Sequence, residues 1–274
     1  GTLSYPTVIP AKGGTSSPTT NSGCIWTYSS GAQAVPSGYT TSASYSMTAG
    51  NGFTIDTSTG VVTASSRGTT PGAARSSNPI SHPVTYSYTN PSSVGGETVS
   101  ATTTSLETTC SQAANYVTSL TLSSGTFSYP TISAGATSAT PTVNGFAGTF
   151  KFTSGESTTT TPASTYGTLT TSITYSLSAS QNGFTAINSA NGVLTATSRG
   201  TTIGVARTSG TVTRKITCTW TPTSTYPGDT ITGTTSPTAV CTQALNKVVS
   251  ATITVAGTLS YPTVIPAKGG TSSP

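Results

Sequence analysis

Apolar and hydroxyl-bearing residues alternate along much of the chain, in short stretches separated by Gly, Pro and Asn. Large side chains occupy every second position in 84–88 and 216–220, and again in 26–28 and 150–152. A period of two predicts β-strands that pack one face and expose the other. Because no apolar stripe with a period of 3.6 residues persists for about ten residues, the sequence predicts no α-helix.

These stretches belong to a repeat that runs through the whole chain. The first 18 residues recur unchanged at 257–274, and a weaker copy begins at Gly125. Self-similarity on this scale indicates two homologous domains in tandem, followed by the start of a third. The predicted boundaries are 1–116 for the first domain, 117–124 for a strand-like junction, 125–248 for the second domain, and 249–274 for a second junction with the first strand of the next repeat.

Turn signals divide each domain into strands. Asn191-Gly192 is a strong signal for a tight hairpin, and 56–60 occupies the same place in the first domain. The segments 90–96 and 222–228 join the last strands of the two domains. About seven strands per domain, with turns every 8–12 residues or so, predict a β-sandwich. The expected fold class is all-β: two tandem Ig-like β-sandwich domains plus the first strand of a third repeat.

Charge is scarce in this chain. It has ten Lys/Arg and five Asp/Glu, 5 % of its residues, and a formal net charge of +5, whereas about 25 % is usual. The cations are spread singly apart from Arg214-Lys215, whereas phosphate binding requires several on one face. We therefore predict no nucleic-acid partner. No apolar run approaches the roughly 18 residues of a membrane span, so none is predicted.

The few acid–base groups give no basis for an enzyme, a metal site or a cofactor site. His82 is the single histidine, and without a local partner it is read as structural. A hydroxyl nucleophile needs a base oriented by a third group, and a glycosidase needs two carboxylates. Asp56 and Asp229 each stand nearly alone, whereas calcium requires several carboxylates close together. The expectation is a protein that is not an enzyme and has no cofactor.

Several of the rare charges are matched between the two domains, which predicts structural ion pairs. A bidentate arginine–carboxylate contact would hold a loop in each domain. The residues concerned are Arg67, Arg75 and Glu97 in the first domain, and Arg199, Arg207 and Asp229 in the second.

Four cysteines, an even number in a polar and Thr-rich chain, fit disulfides formed in an oxidising compartment. Four cysteines allow three connectivities. Since Cys110 and Cys241 occupy matching positions, the repeat favours Cys24–Cys110 and Cys218–Cys241, one bridge in each domain. The alternative, four buried free thiols, remains open.

Aromatic side chains are the remaining candidates for ligand contact, because they can stack on sugar rings. The alternation of large and small side chains places Trp26 and Trp220 on the strand face predicted to pack. Tyr39 and Tyr226 lie in loop-like segments, and they are therefore the candidate glycan contacts.

The motif G-V-V/L-T-A-x-S-R-G-T-T at 60–70 and 192–202, followed by C-x-Q-A-x-N at 110–115 and 241–246, resembles bacterial Ig-like repeats of the group-2 and BACON type. Such repeats occur in Bacteroidota surface proteins and in phage virion proteins, as stalk and spacer modules without catalytic residues. Separately, Asp229-Thr230-Ile231 resembles the short Asp-Ser/Thr-apolar sequence at which Bacteroidota attach O-glycans, which makes Thr230 a candidate for modification.

The expected function is that of a structural repeat unit of a long extracellular fibre, stalk or adhesin. Its partners would be neighbouring copies joined end to end, by strand addition through 257–274. One alternative is a module that binds glycans or a host surface, and the other is a phage decoration or tail-fibre protein. The expected location is extracellular, on a cell or virion surface.

Overall fold

The computed structural model describes residues 1–254 and, beyond them, 257, 260, 268, 269 and 271. This described part contains 27 strands, one short 3-10 turn and no α-helix. The predicted all-β fold with two tandem β-sandwich domains is thereby confirmed. The predicted first strand of a third repeat, in 257–274, lies almost wholly outside the described residues.

The first half contains thirteen short strands and the 3-10 turn Ser92–Val94. The strands are β1 (Thr2–Ser4), β2 (Gly14–Ser16), β3 (Thr19–Asn21), β4 (Thr40–Ala43), β5 (Ser46–Met47), β6 (Phe53–Ile55), β7 (Val62–Ala64), β8 (Arg75–Ser76), β9 (Ile80–His82), β10 (Val84–Thr89), β11 (Thr98–Thr102), β12 (Leu106–Thr108) and β13 (Ser111–Gln112).

The second half repeats this order with fewer interruptions. Its strands are β14 (Val117–Leu122), β15 (Phe127–Ser128), β16 (Ser138–Ala139), β17 (Thr142–Val143), β18 (Gly148–Phe152), β19 (Ser157–Thr158), β20 (Gly167–Leu177), β21 (Phe184–Ile187), β22 (Leu194–Ala196), β23 (Arg207–Thr208), β24 (Val212–Pro222), β25 (Ile231–Thr235), β26 (Thr238–Ala239) and β27 (Thr242–Gln243).

The named strands pair antiparallel, and the pairings correspond between the halves. The sheet β2-β7-β6 corresponds to β16-β22-β21, the pair β8-β13 to β23-β27, and the pair β1-β3 to β15-β17. The predicted hairpins at 56–60 and 188–192 join β6 to β7 and β21 to β22. One sheet of the second half, β14-β18-β19, has no counterpart built of named strands in the first half.

A long ribbon runs the length of each half, and a proline interrupts it in the first. In the second half β20 and β24 pair over eleven residues each. The same path in the first half is divided into β4 and β5 on one side and β9 and β10 on the other, with Pro83 between the last two. Proline has no N–H to donate to the ladder, whereas Lys215 at the matching position leaves β24 continuous.

Two groups of buried side chains lie along each ribbon. We call them the main core and the end core. The main cores are Leu3, Ile9, Phe53, Val62, Ala64, Ile80 and Cys110 in the first half, and Phe127, Ala139, Tyr175, Phe184, Leu194, Ala196, Val212 and Cys241 in the second. The end cores are Trp26, Val84 and Tyr86 in the first half, and Val117, Leu120, Phe150, Phe152, Ile216, Cys218 and Trp220 in the second.

The segment 117–124, predicted as a junction between domains, contributes a strand to the second half. β14 pairs antiparallel with β18 and is shifted by a bulge between Val117 and Ser119. Val117 and Leu120 are buried in the second end core. The second half therefore begins at about residue 117, not 125, because its end core is completed by the strand that enters it.

Candidate functional site

The end core of the first half is bordered by a hairpin, 26–34, that corresponds to the β18–β19 hairpin. The Tyr28 N–H donates to the Ala32 carbonyl at 2.9 Å, as the Phe152 N–H donates to the Glu156 carbonyl at 2.9 Å. A single bridge, Thr27 to Gln33, matches the pairing of Lys151 with Ser157. Residues 24–28 of the first half thus take the place of 148–152 in the second.

The outer edge of this hairpin is filled in the second half and open in the first. In the second half β14 lies along β18, with Leu120 opposite Phe150 and Leu122 opposite Gly148. In the described part of the chain, no strand pairs with the corresponding edge at 22–26. An extended segment without a partner leaves backbone N–H and C=O groups free to pair with another chain.

The open edge borders a groove of about 610 Å³, which we call the end groove. Cys24, Trp26 and Tyr28 line one side, and Val94 and Val99 line the other. Tyr28 is 45 % exposed, whereas Phe152 at the matching position is 1 % exposed. The end groove is therefore the place where the first half lacks packing that the second half has.

The predicted disulfides are wrong in this structure, where all four cysteines are free thiols. Cys110 and Cys241 lie in the two main cores, whereas Cys218 lies in the second end core and Cys24 borders the first. The two cysteines of each predicted pair thus lie in different cores of the same half, one in the end core and the other in the main core, which follow one another along the ribbon. Burial raises the pKa of Cys110 and of Cys241 and keeps both thiols protonated.

The predicted arginine–carboxylate pairs are also wrong, because the arginines bind a buried glutamine. Arg75 Nε donates to Gln112 Oε1 at 2.7 Å, and Gln112 Nε2 donates to the carbonyls of Pro10 and Ser65. Glu97 is exposed and bonds through its backbone carbonyl. A neutral amide can accept from arginine and donate to carbonyls at once, which a carboxylate cannot.

The second half repeats this contact. Arg207 Nε donates to Gln243 Oε1 at 2.6 Å, and Gln243 Nε2 donates to the carbonyls of Ala134, Ala136 and Thr197. Asp229 is exposed and takes no part in this cluster.

The other matched arginines, Arg67 and Arg199, each close a local loop. Arg67 donates to the carbonyl of Ala73, and Arg199 donates to that of Val205. Burial, and secondarily the charge of Arg75, lower the pKa of Arg67. All four matched arginines therefore donate to backbone carbonyls.

The single histidine and a buried arginine occupy the same position in the two halves. His82 stacks on Tyr45 with ring centroids 4.0 Å apart, and its Nδ1 lies 2.9 Å from the Ser44 carbonyl oxygen. Arg214 lies opposite Tyr175 in the corresponding ladder and is 4 % exposed. Its Nε and Nη1 find no hydrogen-bond partner among the described residues. The structural reading of His82 agrees with these contacts.

The two candidate glycan contacts lie in different halves, and the candidate modification site lies in the second half. The Tyr39 ring is 6.2 Å from both Trp26 and Tyr86 and borders the first end core. Tyr226 packs edge-to-face on Tyr166 in the second half, with centroids 4.9 Å apart. Thr230 is exposed. The two tyrosines therefore belong to separate surfaces.

The described residues form no metal-binding cluster, and Asp56 has a local structural role instead. No group of three His, Cys, Asp or Glu side chains is close enough there to hold an ion. Asp56 instead caps its own turn, where the Ser58 hydroxyl and the backbone N–H groups of Thr59 and Ser58 lower its pKa to about 2. None of the helices described is both long and apolar enough to span a bilayer.

The two halves meet at Asn115, which is fully buried. Its Nδ2 donates to the carbonyls of Gly68 and Thr70, in the first half. Its Oδ1 accepts from the Thr153 hydroxyl and from the Ser154 N–H, both at 3.0 Å, in the second half. One side chain thus joins both halves, and we call this contact the Asn115 joint.

The chain matches no protein-family model and no curated protein sequence. Among solved structures it is similar to human protocadherin-24 EC1-2, at 11 % identity and a TM-score of 0.27, over 75 % of this chain and 83 % of that one. It is also similar to Drosophila N-cadherin EC1-4, at 10 % identity and a TM-score of 0.23, over 88 % of this chain and 49 % of that one. It spans about half the length of the Drosophila chain. Scores this low leave the function to be argued from the chain's own residues.

Proposed function

We propose that this chain is a structural repeat unit of an extracellular fibre, stalk or adhesin, in which successive β-sandwich domains are joined at a fixed angle. The observation that carries the proposal is the Asn115 joint, because a buried side chain bonded to both halves opposes free rotation. A flexible spacer would need no such contact.

The same joint residue recurs at the end of the second half, which supports continuation of the repeat. Asn246 Nδ2 donates to the carbonyls of Gly200 and Thr202, as Asn115 does to those of Gly68 and Thr70. Asn246 is only half-buried, and no bond to a following domain reaches its Oδ1 from the described residues. The second half therefore ends on a surface of the kind that joins the first half to the second.

The surface chemistry also suits an exposed fibre. With 5 % charged residues, the chain relies on Ser and Thr hydroxyls for solubility, so its surface responds weakly to pH and salt. The resemblance of its motifs to bacterial Ig-like repeats supports the same role and an extracellular location.

Electron microscopy of the native material tests the proposal. We expect filaments or stalks whose axial repeat matches the length of two β-sandwich halves in line. Discrete particles without an axial repeat, in native material and in the purified chain alike, would contradict it.

A further inference from the structure

We propose that the end groove of one copy is filled by residues 248–254 of a second copy, which add as a β-strand along the open edge at 22–26. The inference rests on the proposed end-to-end function and names the surfaces that make the contact. This contact differs from the end-to-end joint through 257–274 expected from the sequence, because the donor strand 248–254 precedes that segment.

The counterpart of the end groove in the second half is already filled. There β14 follows the Asn115 joint directly and lies along β18, where it buries Val117 and Leu120. Residues 248–254 follow Asn246 in the same way. The tail residues that correspond to Val117 and Leu122 are left in solvent: Val248 is 71 % exposed and Ile253 is 90 % exposed. The chain thus has an empty strand position in one half and an unpaired strand-like segment after the other.

A larger side chain on the edge of the first half is matched by a smaller side chain in the tail. At Gly148, an added Cβ would lie 3.1 Å from Leu120 Cδ1 and 3.5 Å from Leu122 Cδ2. Cys24 occupies this position in the first half, so a strand with leucine at the place of Leu120 would be crowded. Ala251 stands five residues after Asn246, as Leu120 stands five after Asn115. The smaller alanine provides the space that Cys24 requires.

A second exchange sets how far the added strand stands from the facing sheet. Gly233 lies against β14, and a Cβ there would come within 2.6 Å of the Leu120 carbonyl oxygen. Its counterpart in the first half is Ala101. Gly233 pairs with Cys218 and Ala101 pairs with Tyr86, and these two partners occupy matching positions of the ribbons. The added strand must therefore stand farther from this sheet than β14 does. Trp26, larger than Phe150 at the matching position, fills the wider space.

The end groove and the tail lie at opposite ends of the molecule. The Asn115 joint adjoins the main core of the first half, where Ile9 bridges to Gln112. The end groove lies farther along the ribbon, beyond Val84. Asn246 in turn lies at the main-core end of the second half. An extended segment of seven residues spans only about 25 Å, so it reaches the next copy but not its own groove. Such a head-to-tail contact between copies generates an open filament unless its rotation closes a ring.

The register of β14 provides a direct test by disulfide trapping. Leu122 lies opposite Gly148, and Ile253 stands seven residues after Asn246 as Leu122 stands seven after Asn115. In an Ile253→Cys variant, the new thiol should therefore face Cys24 of another copy, at a cross-strand distance that a disulfide can bridge. Ile253 is solvent-exposed in the free chain, so the substitution leaves the fold intact.

Under mild oxidation we expect the Ile253→Cys variant to form a ladder of covalent dimers, trimers and higher oligomers on a non-reducing gel. The ladder should be lost when Cys24→Ser is added. Val205→Cys is the matched control, because Val205 is 83 % exposed on a loop of the second half and is not part of the donor strand 248–254. It should give no ladder through Cys24.

Two truncations separate the donor strand from the repeated tail. A chain ending at residue 256, with the Ile253→Cys substitution, should still form the ladder, whereas a chain ending at residue 247 should no longer assemble.

A disulfide between Cys24 and the introduced thiol of the same chain, or no bond at all, would overturn the inference. If native filaments exist and the chain ending at residue 247 also assembles, the inference fails and the proposed function stands. If no filaments exist in any form, the proposed function itself fails.

Discussion

At the scale of single residues, the two halves are held by neutral amides where charges were expected. Gln112 and Gln243 each accept from an arginine and donate to backbone carbonyls around them. The matched arginines are visible in the sequence because charges are rare, and rare matched charges favour an ion-pair interpretation. The glutamines lie in the matching motifs 110–115 and 241–246. Because an amide is neutral, a comparison of charged residues cannot reveal that it partners an arginine.

Arg214 lacks such a partner among the described residues, and its replacement is predicted to stabilise the protein. Arg214 is buried with two unpartnered nitrogens among the described residues. A buried donor without an acceptor costs about 1–3 kcal/mol. Arg214→Met, which keeps the apolar stem and removes the guanidinium, should therefore raise the free energy of unfolding by about that amount. Chemical denaturation of the purified chain measures the change.

Lys215→Met is the matched control for this prediction. Lys215 is the next residue of the same strand and is exposed, so its replacement should change the free energy of unfolding by less than about 0.5 kcal/mol. A loss of stability in Arg214→Met, beyond that of the control, would mean that the guanidinium has a partner and stabilises the fold.

At the scale of elements, the alternation of large side chains predicted the paired strands of the ribbon correctly. The stretches 84–88 and 216–220 lie within β10 and β24. The alternation at 26–28 was the same, yet it yields only an isolated bridge at Thr27. A strand requires a neighbour as well as a pattern, and at this edge the neighbour is missing. For the same reason the sequence could not show that the junction 117–124 belongs to the second half.

The matching turns at 56–60 and 188–192 are predicted to respond differently to acid. Asp56 accepts hydrogen bonds from its own turn, and these contacts lower its pKa to about 2. A carboxylate with a depressed folded pKa stabilises the fold above the unfolded value, near 3.9, and this contribution is lost as the pH falls through about 2. Asn188 caps the matching turn of the second half through its amide oxygen and does not titrate.

We therefore expect the turn at 56–60 to loosen between about pH 4 and pH 2 while the turn at 188–192 does not. Amide hydrogen exchange of Ser58 and Thr59, compared with that of Ala190 and Asn191, measures the difference. In an Asp56→Asn variant the two turns should respond alike. Equal loosening of both turns in the unaltered chain would show that acid acts elsewhere.

At the scale of the whole molecule, the order of its parts gives the chain a direction. The end groove lies at one end, the Asn115 joint lies between the halves, and the half-buried Asn246 with its exposed tail lies at the other end. The sequence showed this periodicity through the identical segments at 1–18 and 257–274. It could not show which strand completes which sandwich, because that depends on the pairing of β14 with β18.

The Asn115 joint and its counterpart provide a matched pair of variants at this scale. Asn115→Ala would remove the four hydrogen bonds of this side chain and leave the buried Ser154 N–H without its acceptor, at about 1–3 kcal/mol for each group that water cannot reach. We expect this variant to lower the melting temperature and to free the angle between the halves. Small-angle scattering should then show a broader distribution of shapes.

Asn246→Ala removes the same two bonds to carbonyls, but at a half-buried position within one half, where water can replace them. We expect a smaller loss of about 0.5–1.5 kcal/mol and an unchanged angle between the first two halves. In assembled filaments the two variants should instead behave alike. If Asn246 forms the next joint, its replacement should soften the filament as much as Asn115→Ala does, because both residues would then hold equivalent contacts. Filaments whose stiffness changes in neither variant would show that the angle between domains is set elsewhere.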